Sequence, residues 1–129
     1  MALLQWLGRR LAKYLSEPRE GAHVTTSRPG QLAATLRKGD VLLVEGTSRF
    51  ASAIRTITQS TWSHSALCIG DAMAADDAGG PRLVEADINE GVRIVPLSHF
   101  EKMHTRVCRP VGLDAEAIDA LVAYAVSRI

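Results

Sequence analysis

The feature that most constrains this chain is the stretch over residues 36–70, LRKGDVLLVEGTSRFASAIRTITQSTWSHSALCIG. Gly39-Asp40 marks a turn, and residues 41–44 form a continuous apolar run of strand-forming residues, the pattern of a buried strand. Ser48 can cap a helix over residues 49–58, with Phe50, Ile54 and Ile57 on one face. A second strand follows over residues 63–69 and opens on His64. Turn, strand, helix and strand in this order commit the chain to an α+β fold, with a titratable side chain at a strand's mouth.

The remainder extends the same alternation. Residues 83–86 and 92–95 read as strands joined through the turn signal Asn89-Glu90-Gly91. Residues 96–100 read as a short helical turn, and residues 105–109 as a strand ended by Pro110. Asp114 caps a last helix whose Ala117, Ile118, Leu121, Val122 and Ala125 share a face. Residues 72–81, small, acidic and glycine-rich, read as a surface loop. The chain stops at Ile129 within this periodic pattern, without a C-cap glycine. A natural domain can end this way, as can a truncated chain, and the domain is read over residues 32–129.

Ahead of it, residues 1–16 form an amphipathic helix. Leu4, Leu7, Leu11 and Tyr14 recur at helical spacing, Leu3 and Leu15 widen the stripe, and Gln5, Arg9, Lys13 and Ser16 fall away from it. The favoured expectation is that this stripe docks on the rest of the protein. Trp6 and the basic polar face also suit peripheral contact with a membrane interface. Residues 17–31, with Pro18, Gly21, Pro29 and Gly30, read as a linker.

Composition removes several classes of function. A chain of 129 residues fits one modest core. A formal net charge of +1 leaves no electrostatic footprint for a nucleic acid, and 5% aromatic residues leave little for base stacking. Cys68 and Cys108 lack metal-ligand spacing, so no metal site or other cofactor is expected, and two cysteines make no disulfide framework. Both are read as buried core residues that do not pair. No apolar run is long enough to span a bilayer, and Arg9, Arg10 and Lys13 interrupt any signal-peptide core. The expected location is the cytoplasm or a membrane periphery.

The candidate chemistry rests on His64 and Glu85. Alternation puts His64 and Cys68 on one side of their strand but about 13 Å apart, too far for a base to take a thiol proton. Glu85 sits among Leu83, Val84 and Ala86, where an unpaired carboxylate is costly. His64 is its natural partner, and a solvent-facing Glu on a half-exposed strand is the equal alternative. His23, His99 and His104 fall in linker or turn contexts and are read as solvated. Asp76 and Asp77 lack a spaced set of further oxygen ligands for a cation.

The ordered set LRKGDVLLVEGTS, FASAIRTITQSTWSHSALCIGD, LVEADINEGVRIVPLSHF and RVCRP resembles the YiiX/YebB-like family of permuted papain-fold hydrolases, relatives of the NlpC-type cell-wall peptidases and the lecithin retinol acyltransferase-like proteins. The resemblance covers residues 32–129. It implies an antiparallel, partly barrel-like sheet with flanking helices, and thiol-dependent cleavage or transfer at an amide or ester bond. His64 matches that family's general base and Glu85 its third, orienting residue. The substrate implied is a small peptide, an amide or a lipid-linked group. The nucleophilic cysteine is expected beyond Ile129, since Cys108 falls where such proteins have an ordinary strand residue. The competing reading is a non-catalytic module holding a peptide, amino acid or lipid head group in the same groove. The oligomeric state is not legible.

Overall fold

The computed structural model of the protein describes residues 1–18, 25, 28, 30–71 and 80–129. The elements run α1 (Ala2–Ser16), α2 (Gln31–Thr35), β1 (Val41–Val44), α3 (Arg49–Thr58), β2 (His64–Gly70), β3 (Arg82–Asp87), β4 (Gly91–Pro96), a 3-10 turn (Leu97–His99), β5 (Thr105–Cys108) and α4 (Ala115–Val126). The short α2 starts at Gln31, the last residue of the stretch read as linker, and opens the part read as the domain. The reading of His23, Asp76, Asp77, most of the linker and most of the 72–81 loop lies outside the described residues.

The five strands form one antiparallel sheet in the order β4-β3-β2-β1-β5. Among the described residues it is not closed, with β4 and β5 at its edges. One face carries the main core, where Leu42, Val44, Ala66, Cys68, Leu83 and Phe100 pack with Leu32 and Leu36. On the other face Val122 of α4 covers Ile69 and Val84. Period-two alternation therefore sends His64, Ala66 and Cys68 to one side of β2.

Two turns fix the frame. Gly39 adopts φ +90°, and a Cβ there would meet Ile118 at 2.9 Å, so glycine serves both the turn and the docking of α4. Asp40, 1% exposed, accepts from the Arg37 backbone N–H at 2.8 Å and from Arg109 Nε and Nη2 at 2.9 and 2.7 Å. This pair ties the start of β1 to the end of β5. At the β3–β4 hairpin, Asp87 Oδ1 accepts from the backbone of Asn89 and Glu90, and Gly91 takes φ 75°.

Three packing expectations are corrected. Ser48 does cap α3, accepting from the Ala51 N–H at 3.0 Å, but the helix docks through Ala51 and leaves Phe50 and Ile57 exposed. Gly46 explains this: a Cβ there would come within 2.8 Å of Ala51, so the close approach selects the Ala51 side. In α4, Val122 is buried while Leu121 stays exposed at the margin of its face. In α1 no residue is buried, and Leu4, Leu7 and Leu11 are 72%, 56% and 58% exposed, so the stripe does not dock on the protein. Among the described residues, α1 is held at its C-terminal end, through Arg49 to the Tyr14 carbonyl and to Glu17, and through Asn89 to Ser16.

Candidate active site

The site is assembled by strand register. Glu85 on β3 faces Ala66 of β2 and, on its other side, Arg93 of β4. His64 is two residues from Ala66, a diagonal neighbour of Glu85 and within reach of a long side chain. A slip of one residue in either pairing would send these groups to opposite faces. The hairpin locked by Asp87 and Gly91 is thus what aligns Arg93 with Glu85.

In this row His64 Nε2 lies 2.7 Å from Glu85 Oε2. Arg93 donates to the other carboxylate oxygen, Oε1, from Nε at 2.9 Å and Nη2 at 2.7 Å. The Glu85 side chain is 3% exposed, and both its oxygens are occupied, which answers the cost of burying a carboxylate. Arg93 extends Nη1 to Glu90 at 2.6 Å. Burial works against the Arg93 charge, but Glu85 and Glu90 outweigh it and hold the guanidinium protonated more firmly than usual. His99 Nε2 stands 3.6 Å from Glu85 Oε1, and the His99 ring packs edge-on against Phe100. Phe100 in turn lies beside His64, with ring centroids 6.3 Å apart.

These groups line a cleft of about 440 Å³, closed on one side by the N-terminal turn of α3 and at its rim by Ser16, Phe50 and Ile88. With Nε2 engaged by Glu85, the histidine tautomer that donates from Nε2 leaves the Nδ1 lone pair to take up a proton.

Neither cysteine reaches this point. Cys68 is fully buried in the main core, four residues along β2 from His64, and burial pushes its thiol up. Cys108 is half-buried rather than buried, because β5 is an edge strand. Val44 of β1 faces His64 on one side and Thr105 on the other. Cys108 therefore sits two strand spacings across and three residues along from His64, about 14 Å away. Both thiols are free. Among the described residues, no group of three or more His, Cys, Asp or Glu side chains could hold a metal ion, and no helix is long and apolar enough to cross a membrane.

The reading of His99 as a solvated turn residue missed its place at the cleft, and no spacing in the sequence points to it. Arg93 was also missed, although a signal exists: the Asn89-Glu90-Gly91 turn places Arg93 opposite Glu85 once the hairpin is closed. His104 stacks on Trp62 with centroids 5.1 Å apart, away from Glu85.

An open antiparallel sheet flanked by helices, with a His–carboxylate pair in a cleft, is an arrangement shared by several hydrolase folds. Comparison with protein families decides among them: residues 35–129 match the permuted papain-like amidase enzymes, the YaeF/YiiX or C92 family. The chain belongs to that family. Its fold is accordingly a permuted papain-like one, and its function is of the amidase, hydrolytic kind. The match spans the whole sheet, α4 and every lining residue of the cleft except Ser16. A search of curated proteins finds no match.

Proposed function

We propose that the cleft is the base-bearing half of a thiol-dependent amide or ester hydrolase or acyltransferase. His64 Nδ1 takes the proton from a cysteine thiol, and the thiolate attacks the substrate carbonyl carbon. The imidazolium then gives that proton to the departing amine or alcohol, leaving an acyl-thioester. Hydrolysis repeats the cycle with water: His64 takes its proton, the hydroxide adds, and the thiol leaves reprotonated. Transfer uses an acceptor amine or alcohol in place of water. Glu85 keeps Nε2–H in place and stabilises the imidazolium as it forms.

The observation that carries this reading is the 2.7 Å contact between His64 Nε2 and a carboxylate buried to 3% in a chain of an amidase family. The distances from His64 to Cys68 and Cys108 support a thiol supplied from beyond residues 1–129. A peptide, a simple amide or a lipid-linked acyl group is the substrate class that suits a cleft with an apolar rim and a charged floor.

The test uses the natural reading frame that contains this segment, with acyl and peptidyl amides as substrates. Turnover blocked by an alkylating reagent and lowered about 10³-fold or more by His64→Ala is the expected result. Binding of such ligands in the cleft without any turnover would instead assign a non-catalytic binding role.

A further inference from the structure

Among the described residues, α1 carries a row of exposed large apolar side chains outside the cleft. Leu3, Leu4, Leu7, Leu11 and Tyr14 are each more than half exposed, the leucines between 56% and 72%. At 100° per residue they fall, with Leu15, on one uninterrupted face of about 120°. The charged residues of the helix are Arg9, Arg10 and Lys13, with no acid anywhere in Ala2–Ser16. Trp6 lies on the flank, its ring 5.0 Å from the Arg10 guanidinium. A one-sided leucine face, a purely cationic polar side and an indole at the boundary are what an anionic lipid surface selects. A second copy of the same helix would bring three more cations to the contact and no carboxylate to answer them.

The helix is also fixed to the catalytic body at one end. Arg49 stacks over Tyr14 at 4.2 Å and pairs with Glu17 at 2.7 Å, and Asn89 donates to Ser16 at 3.0 Å. Ser16 lies at the cleft rim beside the exposed side chains of Phe50 and Ile88.

We propose that α1 is an interfacial anchor. Its leucine face enters the headgroup–acyl boundary of an anionic bilayer, and Arg9, Arg10 and Lys13 meet the lipid phosphates. The anchored end of the helix brings the cleft mouth to the membrane surface. If the cleft cleaves amide or ester bonds as proposed above, this selects lipid-linked acyl compounds over free peptides as its substrates; the anchoring itself does not depend on that reading.

The full chain is mixed with vesicles of equal parts phosphatidylcholine and phosphatidylglycerol, and with vesicles of phosphatidylcholine alone. The expected result is co-sedimentation with the anionic vesicles that weakens as salt is raised. Trp6 emission should shift to shorter wavelength and be quenched by brominated acyl chains, with Trp6→Phe as the control that leaves only Trp62. Leu7→Glu with Leu11→Glu should weaken partitioning more than about a hundredfold. Arg9→Gln, Arg10→Gln and Lys13→Gln together should weaken it about a hundredfold, at roughly fivefold per charge. Since α1 buries no residue, these variants should keep the circular-dichroism spectrum of the folded sheet. Failure of the parent chain to bind anionic vesicles would overturn the proposal, as would binding indifferent to both sets of substitutions. Sedimentation showing a dimer that Leu7→Glu with Leu11→Glu dissolves, without vesicle binding, would assign the face to self-association instead. No turnover is read, so failure here and failure of the catalytic reading are separate results.

Discussion

Two buried carboxylates hold opposite ends of the same sheet, and each is gripped by an arginine, yet they are built for different purposes. Asp40 gives both oxygens to fixed structural donors, the Arg109 fork and the Arg37 backbone N–H. Glu85 gives one oxygen to Arg93 and the other to His64, a side chain that is 31% exposed and opens on the cleft. The first arrangement is closed, and protons have no productive route through it. The second is closed on the arginine side and open on the histidine side. On the proposed reading, what occupies the second oxygen separates a buried acid that serves the site from one that only holds the fold.

The comparison is broken most forcefully by isosteric neutralisation of each acid. Glu85→Gln should lower kcat/KM of an active polypeptide extended past Ile129 about 10²-fold or more while leaving the fold in place, because Arg93 keeps Glu90 as a partner. If activity survives and stability collapses, Glu85 is a second Asp40.

Asp40→Asn should do the converse. It should cost about 2–3 kcal/mol in denaturant unfolding, less than the loss of one partner from a fully buried pair, because the Arg109 side chain is 44% exposed and can rehydrate. Turnover per folded molecule should stay unchanged. Burial pushes the Asp40 carboxyl up, but the hydrogen bonds from Arg109 and Arg37 outweigh it and hold it below the usual carboxylate range. Its contribution to stability is therefore full above about pH 4, the unfolded value, and lost as pH falls through the lower folded value. Acid unfolding below pH ~4 should be shallower in Asp40→Asn than in the parent.

Arg93→Met sharpens the comparison further. Without the guanidinium, Glu85 Oε1 loses the two donors that fix the carboxylate against His64. Activity should fall about tenfold, with partial rescue by Arg93→Lys, which restores charge without the fork. Activity equal to the parent would reduce Arg93 to a structural ion pair. The smallest effect is expected at Cys108→Ala, within about 0.5 kcal/mol in stability and without change in turnover.

Much of this was legible in the sequence, for physical reasons that can be named. Strands β1 to β5, the Ser48 and Asp114 caps and the β3–β4 turn follow from patterns that act over a few residues, and the sequence-based element boundaries fall close to the observed ones. The contact between His64 and Glu85 was one of two equal readings, because an apolar neighbourhood asks for a partner without naming it. What escaped was set by register and by approach distance. Asp40 reads as a turn residue until β5 brings Arg109 beside it, 69 positions later in the chain. The α3 face was misjudged because Gly46, not hydrophobicity, decides which side can come close. The α1 stripe was expected to dock, and periodicity alone does not say what an apolar face will meet.

The central claim is that His64, held by Glu85, serves a thiol that lies outside residues 1–129. Its most direct measurement is turnover of an acyl or peptidyl amide by residues 1–129 and by a polypeptide extended past Ile129, each with and without His64→Ala and Cys108→Ala. The account predicts turnover by the longer chain alone, lost with His64→Ala and untouched by Cys108→Ala. Turnover by residues 1–129 that disappears with Cys108→Ala would contradict it and make Cys108 the nucleophile.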